Sequence, residues 1–138
     1  MGLLQRSRPL RHCRHFADLG ERDMRTVCEA GQEVTVPERW SFIWEHTPGD
    51  RAYLLLDGTA AVVAGGERIA ELGPGDLVGE VALRSHRLRT AAVTAVTPLT
   101  LLSFTKESFD DLYQGVPAFR AAVDTTIAAR TGRPGTSA

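Results

Sequence analysis

Between Gly79 and Ala91 the chain reads GEVALRSHRLRTA. Its chemistry-bearing groups are one carboxylate, Glu80, and three guanidiniums, Arg84, Arg87 and Arg89, with His86 and the hydroxyls of Ser85 and Thr90 between them. A carboxylate accepts hydrogen bonds from hydroxyls and repels a phosphate. A guanidinium offers a planar fork that matches phosphate oxygens. Gly79 has no side chain, so the backbone there can come close to a bound group. One helical turn over Glu80, Val81, Ala82 and Leu83 would aim free N–H groups at an anion. The Thr90 hydroxyl and the N–H groups of Thr90 and Ala91 complete such a cradle. This set suits a sugar-phosphate, with a sugar hydroxyl at the Glu80 end and the charge at Arg89. The same two residues also suit an internal ion pair that staples a loop to a barrel wall, and spacing alone leaves both readings open.

The elements around this stretch must hold it. From residue 31 to 104 apolar residues recur with a period of two, in the short runs EVTVP, WSFIWEH, AYLLLD, AAVVA, RIAEL, TAAVTAV and LTLLSF. Such runs, rich in Val, Ile, Leu and aromatics, read as strands. Turn signals separate them at Pro48-Gly49-Asp50, Asp57-Gly58, Gly65-Gly66 and Gly73-Pro74-Gly75-Asp76. Evenly spaced short strands predict an antiparallel β-roll, a jelly-roll-like barrel. Trp40 and Trp44 lie four apart, on one face of a strand, and are expected to pack the barrel. Residues 17–30 suit a helix whose apolar stripe is Met24, Val27 and Cys28, with Gly31 ending it. After Phe104 the period turns helical again. Thr105 is an N-cap for a helix carrying Phe109, Leu112 and Tyr113. Pro117 opens a last helix whose face is Phe119, Val123 and Ile127. The fold class is thus mainly β with flanking α: a β-roll, one N-terminal helix and two C-terminal helices. The opening stretch lies inside the roll, between two strands.

The whole chain of 138 residues has a length suited to one domain, and its net charge of −1 sets up no global field toward nucleic acid or membrane. Residues 1–15 form a basic arm (Arg6, Arg8, Arg11 and Arg14 with His12 and His15), residues 16–131 the domain, and residues 132–138 a tail. The arm reads as solvated, or as a docking element for an acidic partner. Cys13 is expected at the surface and Cys28 in the core, both reduced. Neither a secretory leader nor an apolar run of the ~20 residues that span a membrane is visible. The expectation is a cytoplasmic protein without a membrane segment.

The stretch GDLVGEVALRSHRLRTAAV resembles the phosphate-binding cassette of the cyclic nucleotide-binding domain family, which includes the catabolite activator protein, protein kinase A regulatory subunits and cyclic nucleotide-gated channels. Gly79, Glu80, Val81, Ala82 and Leu83 fit the front of that cassette, and Arg89, Thr90 and Ala91 fit its back. GDRAYLLLDGTAAV and IAELGPGDLVGE resemble the family's segments upstream. The resemblance covers roughly residues 16 to 130. It implies cAMP or cGMP as ligand, with Glu80 on the ribose 2′-hydroxyl and Arg89 on the cyclic phosphate. Backbone at Gly79, Ala82 and Ala91 would support both, and Thr90 would assist the phosphate or a guanine amino group. Two departures are plain: Leu88 replaces the usual proline before the arginine, and the loop carries Arg84, Ser85, His86 and Arg87 where glycine is common. The extra arginines either reinforce phosphate binding or pair with acids of this chain or a partner.

In that family the helix after the barrel closes over the ligand or moves aside. Here Pro117 to Arg130 would serve, with Arg120, Thr125 and Thr126 as candidates to meet the base or a second subunit. At 1.5 Å per residue the segment spans about 20 Å. The function expected is therefore a cyclic nucleotide-binding regulatory protein that signals by repositioning this helix, to a protein partner or through self-association as a homodimer. The alternative is a ligand-free interaction module that keeps the fold as a scaffold. A winged helix-turn-helix is not expected, since only two short helices and a tail follow Phe104, so no DNA-binding domain is assigned. An enzyme is not expected either: His46 and His86 stand alone, no H-x-H or nucleophile set is apparent, and neither a catalytic metal nor a cofactor is assigned.

Overall fold

The computed structural model describes residues 13, 16–43, 51–79 and 91–130. Its central strand, β3 (Arg51–Asp57), is apolar at five successive positions from Ala52 to Leu56. Such a run needs cover on both faces, and both are covered. Ala52, Leu54 and Leu56 join one buried cluster with the helices, while Leu55 joins a second cluster between the sheets, with Tyr53 packed against it. Strand β8 (Leu99–Thr105) behaves alike: Leu102 and Phe104 face the helical layer, and Leu99 and Leu101 face the roll interior.

Two four-stranded antiparallel sheets make the roll. The first has the order β1 (Gln32–Val36), β8, β3 and β6 (Leu77–Val78). The second has the order β2 (Ser41–Ile43), β7 (Ala92–Ala95), β4 (Ala60–Ala64) and β5 (Glu67–Leu72). Three helices, α1 (Glu21–Ala30), α2 (Lys106–Gly115) and α3 (Pro117–Arg130), cover the outer face of the first sheet. The expected architecture of a roll, one N-terminal helix and two C-terminal helices is what forms.

An aromatic knot joins the helices to the roll. Phe119 is fully buried, with the rings of Phe16, Phe104 and Phe109 centred 6.0, 6.1 and 5.7 Å from its own. Thr105 caps α2 as expected, its side chain accepting from the Ser108 N–H at 3.1 Å. Pro117 opens α3.

Three expectations need correction, while Gly31 ends α1 as expected. Helix α1 begins at Glu21, not at residue 17, because Phe16 and Leu19 are drawn into the helical core and hold a turn there. Gly31 ends α1 in extended conformation, with φ −98°. It is glycine because a Cβ would lie 2.7 Å from Leu102 Cγ and 2.9 Å from Phe104 Cε1. Gly31→Ala is expected to cost about 1–3 kcal/mol through overpacking, seen as a lower urea midpoint at unchanged slope. Trp40 is 65% exposed. It ends the turn that follows Val36, beside Arg39 at φ 72°, so it does not pack the barrel. Trp44 lies outside the described residues.

Cys13 is the third correction: it is fully buried, not at the surface, and its Sγ donates to the Leu55 carbonyl at 3.6 Å. Cys28 is buried as expected, and neither cysteine forms a disulfide. Burial pushes the Cys13 thiol from its ordinary 9.0 up to about 12; a hydrogen bond from the Gly75 backbone works against this, and Cys28 and Asp76 nearby add to it. Well below pH 9.0 the thiol is protonated whether the chain is folded or not. As pH rises from there, the unfolded chain releases a proton that the folded chain keeps, so stability falls. Urea midpoints on either side of that pH should show the decline, and it should be shallower in Cys13→Ala.

Candidate functional site

The site is built where the chain crosses from one sheet to the other. Strand β6 pairs with β3 as Tyr53↔Val78 and Leu54↔Leu77, then reaches Gly79. Gly79 is buried with φ 84°, a left-handed conformation that a side chain would strain. The chain returns at Ala91, 1% exposed, and enters β7, which pairs with β4 as Ala92↔Val63 and Val93↔Val62. The stretch from Gly79 to Ala91 therefore starts beside Tyr53 in the first sheet and finishes beside Val63 in the second. The turn that feeds it is held by Asp76, whose carboxylate accepts from the Gly73 N–H at 2.8 Å, while Gly75 N–H donates to the Leu55 carbonyl at 2.8 Å.

The roll interior holds alanines at both ends of the second sheet. Away from the crossing, Ala60 and Ala95 lie with Leu72, Leu99 and Leu101. Near the crossing the inward positions include Ala64, Ala70, Val78 and Ala91, with Phe42 and Tyr53 packed edge to face at 5.2 Å. Ser103 is buried at this level of the first sheet, opposite Tyr53, and Arg51 Nη1 donates to its hydroxyl at 3.2 Å. Alanines and Phe42 on the second sheet, with Tyr53 and the Ser103 hydroxyl on the first, suit a ligand with a flat apolar part and polar edges. Sequence reading passed over Phe42, Tyr53, Ala64 and Ala70. The alanines at both ends of AAVVA were the available signal.

Of the sequence-predicted site residues, the structure places Gly79 and Ala91 at the two ends of the crossing. Glu80, Val81, Ala82, Leu83, Arg89 and Thr90 lie outside the described residues, as do Arg84, His86 and Arg87. The three residues proposed for a lid sit in the helical layer rather than between the sheets. Arg120 Nε donates to the Tyr113 carbonyl at 2.9 Å, and its guanidinium lies 5.0 Å from the Tyr113 ring centre. Thr126 is 5% exposed and donates to the Ala122 carbonyl at 2.7 Å. Thr125 faces outward from α3. Among the described residues no group of three His, Cys, Asp or Glu is arranged to hold a metal ion, and no helix is long and apolar enough to cross a membrane.

Among the described residues the fold is a two-sheet roll backed by three helices, and the chain leaves one sheet at Gly79 and enters the other after Ala91. Residues 33–115 match the cyclic nucleotide-binding domain, and the chain belongs to that family. Domains of this family are non-catalytic regulatory modules. The chain is 32% identical over 117 residues to a cyclic nucleotide-gated potassium channel of Mesorhizobium japonicum, a match covering 85% of this chain and 32% of the channel. It is 36% identical over 99 residues to the cAMP-dependent protein kinase regulatory subunit of Yarrowia lipolytica, covering 70% of this chain and 26% of that subunit. The crystal structure of a cyclic nucleotide-binding domain from Methylobacillus flagellatus superposes with a TM-score of 0.78 at 21% identity, over 94% of this chain and 78% of that one. This chain spans less than a third of the length of the two sequence relatives.

Proposed function

We propose that the protein binds a cyclic mononucleotide, cAMP or cGMP, between its two sheets and acts as a regulatory module through the response of α3. One observation carries this reading. The stretch that holds Glu80 and Arg89 at cassette spacing begins at Gly79 beside one sheet and ends at Ala91 beside the other, at the end of the roll where Tyr53, Ala64 and Ala70 lie. The names of the channel and the kinase subunit point to the same ligand class.

Each group has a role in this proposal. Arg89 takes the cyclic phosphate through its planar fork, and the N–H groups of Ala82, Thr90 and Ala91 add donors. Glu80 accepts from the ribose 2′-hydroxyl. Gly79 lets the backbone reach the ligand, Val81 and Leu83 anchor the turn on apolar surface, and the Thr90 hydroxyl assists the phosphate or a guanine amino group. The base lies toward Phe42, Tyr53, Ala64 and Ala70. Signalling then requires α3 to take two positions, and the ligand biases them only by its differential affinity. Arg120 and Thr125 are exposed and available to a base, a protein partner or a second copy; Thr126 joins them only if α3 rotates. The reading places the protein in the cytoplasm, where these nucleotides are made.

The test is the nucleotide that the protein carries. Protein purified without added ligand is heat-denatured, and the released small molecules are identified by mass. Release of cAMP or cGMP is expected. Release of neither, from protein that also takes up neither when they are added back, leaves the ligand-free scaffold as the function.

A further inference from the structure

Beside α3 the turn at residues 16–19 leaves a groove of about 230 Å³, lined by Asp18, Leu19, Ala118, Ala121, Ala122 and Thr125. The lining is mostly small and apolar, and Asp18, Ala121 and Thr125 are exposed. A space of ~150 Å³ already admits a benzene-sized group, so this groove has room for branched aliphatic side chains. Charge narrows the choice of occupant. Residues 16–138 hold seventeen carboxylates against twelve arginines and lysines, whereas residues 1–15 hold four arginines and no acid. An acidic body repels a second copy of itself and attracts its own basic arm.

The arm also has the reach and the side chains. It joins the fold at the buried Cys13, three residues before Phe16. The nine residues from there back to Leu4 extend up to ~30 Å at 3.3 Å per residue, about twice the ~14 Å radius of gyration of a domain this size. Pro9 keeps that span from running as one helix. Leu3 and Leu4 are the apolar pair of MGLLQRSRPLRH, and Arg6, Arg8 and Arg11 follow them. We infer that residues 1–12 of this chain dock on its own helical layer, with Leu3 and Leu4 in the α3 groove and the arginines along the acidic surface. A seated arm clamps α3 to the 16–19 turn from outside. This inference stands whether or not a nucleotide binds.

The experiment uses the full chain without nucleotide, carrying 13C-methyl alanine and leucine. Expected are NOEs from the Leu3 and Leu4 methyls to those of Ala118 and Ala121. A double variant, Leu3→Ser with Leu4→Ser, should lose them all and shift the Ala118 and Ala121 resonances, leaving the core methyls of Ala52 and Ala60 in place. Ala121→Lys, a change at an exposed position, should lose the same NOEs from the groove side. Identical alanine spectra in the full chain and the double variant would overturn the inference. So would NOEs that appear in a mixture of leucine-labelled and alanine-labelled chains, since a second copy would then supply the arm.

Discussion

Replacing Arg89 by alanine should weaken cyclic nucleotide binding by about 2–5 kcal/mol, the cost of leaving one partner of a buried charge pair alone. At 1.4 kcal/mol per tenfold, that is roughly 30-fold to several thousandfold in Kd. The span reflects how completely water is excluded around the phosphate. Arg89→Lys keeps the charge but loses the planar two-point contact, so it should fall between the wild type and the alanine variant. Arg84→Ala and Arg87→Ala separate the two roles of the extra guanidiniums. If they reinforce the phosphate site, each weakens binding and flattens its salt dependence; if they pair with acids of the chain, each leaves affinity nearly unchanged. All four variants should unfold at the wild-type urea midpoint, which distinguishes a ligand contact from a structural one. An Arg89→Ala protein that binds as tightly as the wild type would remove Arg89 from the site.

Phe119→Ala should cost about 3–5 kcal/mol of stability, the range for a fully buried phenylalanine truncated in a core. The ring of Phe119 meets Phe16 from the N-terminal turn, Phe104 from β8 and Phe109 from α2. Those partners belong to three different segments, so none can close the space without moving an element. In a chain of this length the loss should lower Tm by on the order of 10 °C or more. Phe119→Leu retains much of the volume and should cost less than about 1.5 kcal/mol. Equal midpoints for Phe119→Ala and the wild type would show that the helical layer is not fastened to the roll through this residue.

The roll was legible because its strands are short and its turns carry Gly, Pro and Asp at close intervals, a pattern that survives without tertiary information. The position of the crossing between two strands was legible from its flanks, which the structure places at Gly79 and Ala91, while the roles of Glu80 and Arg89 between them stay a proposal. What could not be read depends on partners distant in sequence. Cys13 sits among arginines and histidines, yet the Leu55 carbonyl and the Gly75 N–H bury it. Hydrophobicity assigned Trp40 to the core, but the backbone turns at Arg39 and leaves the ring in water. The reason for glycine at position 31 lies some seventy residues on, in Leu102 and Phe104. Thr126 reads as a polar group for a ligand, whereas its hydroxyl is satisfied within its own helix and its side chain lies in the core. That Ala64, Ala70 and Ala91 lie together emerges only when β4, β5 and the start of β7 are set side by side, since each alanine alone is unremarkable in sequence.

Calorimetric titration of the nucleotide-free protein with cAMP and with cGMP tests the central claim most directly. The account predicts saturable binding of one nucleotide per chain to at least one of them, with a Kd near micromolar corresponding to about −8 kcal/mol. Absence of binding heat with both, at several temperatures and with the fold intact by circular dichroism, would contradict it.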